Sequence, residues 1–341
     1  MTPSARKREA SPHPNPPPLA GEGVRAAGEG VRAAGGRGLT PSGAHDPTDI
    51  HHGDWVDRWL PGWAAPYARL ARLDRPIGTW LLLFPGWWGI ALASLADPVL
   101  LLLFAIGAVV MRGAGCTLND IADREYDAKV ARTRLRPLPS GRVTVPQALV
   151  FMAAQLIVGA AILLSLNRAC WWLGIGVLAL IGTYPFMKRI TYWPQLFLGL
   201  NFNWGALLGW AAVTGALTWP PVLLYLGGIF WTLGYDTIYA HQDKEDDVRI
   251  GVKSSALALG ERTRPWLFVF YAAALVLWAA AGISVGLGIL FWGGLVGAGL
   301  QLGWQAARVD INDPADCLAK FRSNRVTGWL LFAGIVAGHF A

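Results

Sequence analysis

Oxygen-bearing side chains recur at helical spacing in residues 119–127, and this spacing is the first sign of chemistry in the sequence. Asn119, Asp123 and Asp127 lie four residues apart, so a helix would present all three on one face. Asp120 precedes Asp123 by three residues and joins the same face. A helix end that concentrates carboxylate and amide oxygens is suited to binding a divalent cation. We call residues 119–127 the first acidic segment.

A second acidic segment, residues 243–247, repeats the pattern later in the chain. Asp243 and Asp247 are again four residues apart. If the two segments met, they would repel, because two carboxylates ~4 Å apart cost about 4 kcal/mol at an effective dielectric near 20. Cations between them remove that cost, and oxygen ligands at a site with open positions suit Mg²⁺ completed by a phosphate group. The two segments therefore predict a diphosphate held by one or two magnesium ions.

The elements that must position these segments are apolar helices. The 341 residues are 54% hydrophobic and 15% charged, whereas soluble domains are roughly 25% charged. A helix needs about 20 mostly apolar residues to cross a bilayer. Nine stretches are candidates for such helices, of which the last is shorter than the rest: 77–95, 98–118, 146–166, 169–187, 195–214, 220–240, 265–283, 285–303 and 326–340. The sequence therefore predicts an all-α integral membrane protein.

Basic residues are distributed unevenly between these stretches. The connections on one side carry 21 Lys and Arg, and those on the other side carry only Arg168. The positive-inside rule therefore places the N-terminus and both acidic segments in the cytoplasm. Topology accounts for the formal net charge of +7, so no nucleic-acid partner is predicted. A solvated loop would explain one acidic segment, but two at matching span ends favour a shared site.

The N-terminal part of the chain has a different composition. Residues 11–18 are rich in proline, and the seven residues 20–26 recur at once as 27–33. Such a stretch has too little apolar surface to offset the entropy of ordering. We therefore predict a disordered low-complexity tail over 1–50 and a membrane domain over 51–341. A start codon placed too far upstream would give the same pattern.

The acidic segments and their surroundings resemble the UbiA-type membrane prenyltransferases, and within them the branch that acts on 4-hydroxybenzoate. The family pattern NDxxDxxxD matches 119–127, its continuation RTxxRPLxSG matches 132–141, and the second pattern DxxxD matches 243–247. Three shorter stretches resemble the 4-hydroxybenzoate branch in particular: 72–78, 112–116 and 184–189. The resemblance extends from about residue 66 to the end of the chain.

The resemblance implies a fold and a reaction. The fold is about nine transmembrane helices around a central cavity, with a cap of cytoplasmic loops. The reaction is the Mg²⁺-dependent transfer of a polyprenyl group from polyprenyl diphosphate to the ring carbon ortho to the hydroxyl of 4-hydroxybenzoate, in ubiquinone biosynthesis. The implied surroundings are membrane lipid, in the inner membrane of a bacterium or, in a eukaryote, of a mitochondrion.

The resemblance also implies roles for individual residues. Five are implied Mg²⁺ ligands: Asn119, Asp123, Asp127, Asp243 and Asp247. Three carboxylates are implied to act in catalysis: Asp120, Asp123 and Asp243. Four basic residues are implied to contact the diphosphate: Arg132, Arg136, Lys188 and Arg189. Two further cations are candidates to meet the carboxylate of the aromatic acid: Arg72 and Arg75. Topology or interfacial anchoring would by itself explain any one of these basic residues.

Several alternatives remain open on the sequence alone. The same chemistry on homogentisate, a naphthoate, haem or a chlorophyll precursor would need the same acidic segments. A divalent-cation transporter would use them as an ion mouth, but its spans should carry charges, and the predicted spans contain few besides Arg112 and Asp236. Asp236 is either functional or paired with a cation such as Arg112 or Lys188. His241 is expected to be solvated, and the ring proton would be removed by a carboxylate such as Asp243 or by the released diphosphate.

Overall fold

The computed structural model describes residues 50, 53–130 and 133–340, and within these ranges the chain forms helices and no strands. The predicted tail up to residue 49 and the predicted diphosphate ligand Arg132 lie outside the described residues. The all-α prediction is confirmed for the part of the chain that is described.

Long helices alternate with short ones at the connections. The long helices are α3 (Ile77–Ala93), α4 (Pro98–Ala122), α6 (Val145–Ser165), α7 (Arg168–Ile190), α8 (Pro194–Phe202) followed by α9 (Trp204–Thr214), α10 (Trp219–Ala240), α13 (Thr263–Ser284), α14 (Ile289–Arg308) and α15 (Pro314–Ala337). The short helices are α1 (Trp55–Trp59), α2 (Ala65–Leu70), α5 (Arg124–Asp127), α11 (Lys244–Ile250) and α12 (Ser255–Leu259). Three 3₁₀ turns occupy His241–Asp243, Gly260–Arg262 and Gly338–Phe340.

Each predicted span overlaps one of these helices, except that the span at 195–214 covers both α8 and α9, and the last span differs most from its prediction. The span predicted at 326–340 overlaps the second half of α15, which begins at Pro314 and ends at Ala337. Asp313 caps this helix by accepting a hydrogen bond from the backbone of Ala315 at 2.9 Å. The first turns of α15 carry charged residues, so an apolar window misses them although the backbone is helical.

Five helical stretches in the described part of the chain are long and apolar enough to cross a membrane: Pro98–Ala122, Val145–Ser165, Arg168–Ile190, Pro194–Thr214 and Ser255–Ser284. α3 is apolar but shorter, at 17 residues. These helices fit a membrane protein, while the count of nine crossings stays a prediction.

The span predicted at 195–214 is interrupted at Asn203, which lies between α8 and α9. The Asn203 side-chain amide donates to the carbonyl oxygen of Gly199 at 2.9 Å and to the hydroxyl of Thr232 at 2.8 Å. An asparagine side chain that bonds to the backbone competes with regular helical pairing. The interruption brings Phe202 next to α4, a contact described below.

The buried core lies among α3, α9, α10, α13, α14 and α15. Its centre is a group of tryptophans, in which the rings of Trp88 and Trp231 are 5.2 Å apart and those of Trp88 and Trp278 are 5.3 Å apart. By contrast, only 6% of the most apolar window of α6 is buried, and the same holds for α7. These two helices therefore present most of their surface to the surroundings, as expected for helices that face lipid.

Helices α3 and α9 approach closely where both carry glycine. A Cβ atom added at Gly205 would lie 2.9 Å from the backbone nitrogen of Gly86. We expect Gly205→Leu to force the helices apart and to lower the melting temperature in detergent by several degrees, since overpacking costs about 1–3 kcal/mol. Gly293→Leu is the matched control, because nothing lies within 4 Å of a Cβ at that helical glycine. Equal losses in the two variants would contradict this prediction.

Candidate active site

The first acidic segment sits at the junction of α4 and α5. The backbone nitrogen of Asp123 donates to the carbonyl oxygen of Asn119 at 2.9 Å, and that of Asp127 donates to Asp123 at 2.8 Å. These bonds carry the helical spacing through the junction, although α4 ends at Ala122. Asp123 is exposed, whereas Asp120 and Asp127 are buried. Only part of the segment is therefore open to a ligand.

The two buried carboxylates are paired with basic residues that were predicted to bind substrate. The guanidinium of Arg72 donates to Asp120 at 2.6 Å. Arg136 lies 3.4 Å from Asp120 and 3.0 Å from Asp127. The structure thus places Arg72 and Arg136 in an ion network with the first acidic segment, which locks the connection after α5 to the linker before α3. Their contacts with substrate stay a prediction, as does ligation of a metal by Asp127.

Arg72 adopts a backbone conformation that is unusual for its residue type. Its φ of 58° is positive, and among the described residues it is the only non-glycine of which this is true. Besides binding Asp120, its side chain donates to the carbonyl oxygen of Arg69 at 2.9 Å. A non-glycine residue in this region costs of order 1–3 kcal/mol and persists only where surrounding contacts hold it. The network around Asp120 supplies those contacts.

We expect both Arg72→Ala and Arg72→Gly to lower the melting temperature in detergent, because Asp120 then loses a cation in a buried pair, at a cost of about 3 kcal/mol. The alanine variant should lose more than the glycine variant, since only alanine retains the backbone cost of about 1 kcal/mol. Thermal unfolding of both variants tests this. If Arg72→Gly melts like the unsubstituted protein, Arg72 does not hold the network together.

The second acidic segment is attached to two neighbouring connections. The backbone nitrogen of Lys253 donates to the carbonyl oxygen of Lys188 at 3.0 Å, which ties the residues after α11 to the end of α7. The ammonium of Lys244 donates to the side chain of Asn312 at 2.5 Å, between α14 and α15. The segment is thereby held against the end of α7, where two of the predicted diphosphate ligands lie.

Lys188 links the two acidic segments. Its ammonium interacts electrostatically with the carboxylates of Asp123, Asp236 and Asp247, so residues of both segments lie near it. Its side chain is nevertheless exposed. Asp123 and Asp247, 124 positions apart in the sequence, therefore face the same region at one end of the bundle.

The remaining predicted cations have different surroundings. Arg189 lies in the last turn of α7 and is exposed. Arg75 is half-buried, and its Nε lies 3.3 Å from the buried carboxylate of Asp74. Neither position tests the predicted contact with substrate.

A further group of polar side chains lies on α4, α7 and α10, further from the helix ends than Lys188. Tyr184 interacts electrostatically with Lys188, Asp236 and Arg112. The guanidinium of Arg112 stacks on the ring of Phe202, 5.4 Å from its centre. These three helices, α4, α7 and α10, thus carry charged groups into an otherwise apolar interior.

Arg112 is held closely but is not neutralised by a contact. Its Nε is buried without a hydrogen-bond partner, and no carboxylate lies within ion-pair distance of it in the part of the chain that is described. A Cβ atom added at Gly78 would lie 2.7 Å from this nitrogen, so any larger residue there would displace the guanidinium. The sequence assigns no chemical role to Arg112 or Tyr184. The signal that points to Arg112 is a charged residue inside an apolar span, which by default indicates function.

The environment of His241 differs from the one that the sequence predicts. The sequence favours a solvated imidazole, but the side chain is 3% exposed, and its Nε2 is 2.9 Å from the hydroxyl of Thr263. Burial, and then the nearby charge of Lys244, lowers the pKa of His241 to about 4. The imidazole is therefore neutral at pH 7, and it joins the residues before α11 to the start of α13.

The oxygen donors fit one kind of metal. Across residues 50, 53–130 and 133–340, no three His, Cys, Asp or Glu side chains are grouped closely enough to enclose an ion. The donors of the two acidic segments are nevertheless carboxylates with one amide, and they come from two separate elements. Mg²⁺ keeps several waters and is usually completed by substrate phosphates rather than enclosed by protein. The donor set therefore fits a magnesium–diphosphate unit better than an ion held by protein alone.

These features define a protein of apolar helices that fit a membrane, with carboxylates of two separate segments near the cation of Lys188. The family model for the UbiA prenyltransferase family matches residues 82–335. Because this match covers most of the chain, the chain belongs to the UbiA prenyltransferase family.

The relatives carry more specific names. The protein called mitochondrial 4-hydroxybenzoate polyprenyltransferase in Arabidopsis thaliana is 50% identical over 294 residues, which are 85% of this chain and 72% of that protein. The protein of the same name in Homo sapiens is 51% identical over 280 residues, 80% of this chain and 75% of that protein.

Solved structures share the fold. A UbiA homologue from Aeropyrum pernix K1 superposes with a TM-score of 0.64 at 26% identity, covering 76% of this chain and 97% of that one. A UbiA homologue from Archaeoglobus fulgidus bound to GPP and Mg²⁺ gives a TM-score of 0.61 at 20% identity, covering 80% of this chain and 99% of that one. The UbiA-like fold predicted from the acidic segments is thus confirmed.

Proposed function

We propose that this protein transfers a polyprenyl group from polyprenyl diphosphate to the ring carbon ortho to the hydroxyl of 4-hydroxybenzoate. The observation that carries the proposal is that Lys188 interacts electrostatically with both Asp123 and Asp247, one from each acidic segment. A cation near carboxylates of two separate segments suits a ligand that brings both phosphate and metal. The names of the relatives supply the acceptor, and with it a place in ubiquinone biosynthesis.

The acidic segments would hold Mg²⁺ together with the diphosphate. Its ligands would come from five residues: Asn119, Asp123, Asp127, Asp243 and Asp247. When bound, Mg²⁺ neutralises the charge that develops on the departing diphosphate. Asp120 has a different part, because Arg72 and Arg136 occupy it in a buried network. It would act by positioning the first acidic segment rather than by touching the reacting atoms.

The basic residues at the same end would contact the phosphate oxygens directly. Lys188 is exposed at the mouth, and no carboxylate of the described residues lies within ion-pair distance of it, so its three donors remain available to an anion. Arg189 follows it at the end of α7. Arg136 would bind a diphosphate only by sharing its guanidinium with Asp120 and Asp127. Arg132 would complete this group from the segment that precedes Arg136.

The acceptor carries a carboxylate, and we propose Arg112 as the cation that receives it. Arg72 was the first candidate from the sequence, but its guanidinium is bound to Asp120 at 2.6 Å. Arg112 is held against Gly78 and Phe202 while one of its nitrogens lacks a partner. A guanidinium that forms no ion pair among the described residues is costly between apolar helices, and an anionic substrate group would lower that cost. Arg75 remains the second candidate from the sequence.

The apolar interior would protect the reaction. Breaking the allylic carbon–oxygen bond leaves a cation that water would capture, so the site must exclude water. Lipid-facing helices such as α6 and α7 surround it with hydrocarbon. The ring proton would then pass to Asp243 or to the released diphosphate. In this proposal the motif end of the bundle, defined as the end that bears both acidic segments, faces the cytoplasm or, in a mitochondrion, the matrix.

One assay tests the proposed function. Membranes that contain the protein are supplied with Mg²⁺, a labelled polyprenyl diphosphate and each aromatic acceptor in turn. We expect labelled product with 4-hydroxybenzoate and not with homogentisate or a naphthoate. Prenylation of another acceptor instead would reject the proposed substrate and retain the family chemistry.

Removal of the metal tests the proposed ligands. Excess EDTA is expected to abolish product formation, because the diphosphate charge then has no counter-ion at the acidic segments. Restoring free Mg²⁺ should restore the rate in the same sample. Undiminished transfer in EDTA would contradict the metal assignment, and uptake of Mg²⁺ into vesicles without prenyl diphosphate would instead favour a transporter.

A further inference from the structure

The residues before the first long helix, α3, expose large aromatic side chains where a surface in water would expose polar ones. Three tryptophans at four-residue spacing are exposed: Trp55 by 43%, Trp59 by 81% and Trp63 by 76%. We call these three residues the tryptophan face. A protein surrounded by water rarely leaves several large aromatic side chains exposed together, so the face requires a partner.

The carboxylates of Asp54 and Asp57, at the start of α1, contact α2. Arg69 on α2 is 3% exposed and donates to Asp54 at 3.1 Å and to Asp57 at 2.6 Å. These bonds fix the orientation of α1, because its two carboxylates must stay on the side of Arg69. Val56 of α1 is also fully buried. The carboxylates of Asp54 and Asp57 therefore lie on the side of Arg69, while Trp55 and Trp59 are exposed to the surroundings.

The segment is attached firmly at the level where the bundle begins. Leu70 of α2 packs with Leu138 and Val143 in a separate small core. The rings of Tyr67 and Phe151, the latter in the second turn of α6, are 5.2 Å apart. Arg72, just after α2, binds Asp120 near the end of α4. The tryptophan face is thus fixed beside the motif end, next to the first turns of helices with exposed apolar surfaces.

We propose that the tryptophan face docks into the interfacial layer of the lipid bilayer at the motif end. Tryptophan is enriched at this depth because its ring is apolar while its indole N–H bonds to water and headgroups. The exposed Arg58, adjacent to Trp59, would contact lipid phosphate. The same segment contacts α6 through Tyr67 and Phe151, and Val150, the neighbour of Phe151, is 71% exposed as expected for a residue that faces lipid. This interfacial anchor is separate from the proposed function, since it involves no residue of the acidic segments.

Site-directed labelling tests the anchor in the full chain. Trp59→Cys and Trp63→Cys are each labelled with a nitrobenzoxadiazole probe, and the proteins are placed in nanodiscs of phosphatidylcholine and phosphatidylglycerol. The three native cysteines are buried, so the introduced thiol is the accessible one. Glu261→Cys is the matched control, because Glu261 is exposed in the charged turn before α13. Retained prenyl transfer by each variant verifies the fold.

We expect the probes at positions 59 and 63 to emit at shorter wavelength than the probe at 261. Phosphatidylcholine spin-labelled just below its headgroup should quench them at least about twofold more strongly than the control, because interfacial tryptophans lie at that depth. Quenching by aqueous iodide equal to that of the control would overturn the proposal, because the face would then be solvated. Protection from both quenchers would also overturn it, since a protein contact would then cover the face.

Discussion

Substitution of Asp123 by asparagine is expected to lower the turnover number for prenyl transfer by about a thousandfold or more. Asp123 is the exposed carboxylate of the first acidic segment and acts electrostatically on Lys188. Loss of its charge would weaken the hold on Mg²⁺ where the diphosphate leaves, and a metal supplies several kcal/mol at such a point. Each tenfold loss corresponds to about 1.4 kcal/mol of activation free energy. Single-turnover rates at saturating Mg²⁺ measure the effect, and Asp247→Asn should behave alike.

The control for this prediction lies two residues further along the chain, in α5. Glu125 is exposed, and its nearest ion-pair partner is the neighbouring Arg124 at 3.9 Å. Glu125→Gln removes the same charge two residues away and should leave turnover within about twofold, because exposed pairs contribute little. If Asp123→Asn and Glu125→Gln have equal rates, the acidic segment acts only through its overall charge, and the specific ligand assignment is wrong.

Substitution of Arg112 by methionine is expected to reduce kcat/KM for 4-hydroxybenzoate by about a hundredfold while the KM for the polyprenyl diphosphate changes little. The guanidinium lies between Gly78 and Phe202, away from the exposed diphosphate mouth. Loss of a desolvated charge pair costs about 2–5 kcal/mol, of which about 3 kcal/mol corresponds to this hundredfold change. Steady-state kinetics with each substrate varied in turn give the two constants.

An acceptor without a negative charge distinguishes a loss of substrate binding in Arg112→Met from a loss of folding. With an ester of 4-hydroxybenzoate, the unsubstituted protein should already be slow, and Arg112→Met should reduce its rate no further. Gly78→Ala should give an intermediate loss for the acid, since the added Cβ displaces the guanidinium without removing it. An equal loss with acid and ester would show that Arg112 supports the fold rather than the carboxylate.

Asp120 has surroundings that differ from those of Asp123, its neighbour in the first acidic segment. The resemblance groups it with the catalytic carboxylates, yet its side chain is 2% exposed and bound to Arg72. Its contacts with Arg72 and Arg136 support our proposal that Asp120 positions the first acidic segment, while the predicted catalytic role stays a prediction.

Helix positions could be derived from the sequence because they depend on local composition. Stretches of apolar residues predicted α4 and α6 to within a few residues, since a helix in lipid must satisfy its own backbone and can do so only where its side chains are apolar. The same rule failed for the start of α15, where charged residues continue the helix beyond the apolar part. The interruption at Asn203 was also missed, because it depends on a bond to Thr232 on another helix.

The kinds of residue at the site, their helical spacing and their place at helix ends were determined by the sequence alone. Which cations remain open to a ligand was decided only by the tertiary structure. Arg72 and Asp120 are 48 positions apart, yet they form an ion pair, whereas Arg112 reaches no carboxylate among the described residues. Similar basic residues acquire different surroundings because a charge pairs with the groups that packing brings near it. Neither composition nor spacing shows which distant segments will become neighbours.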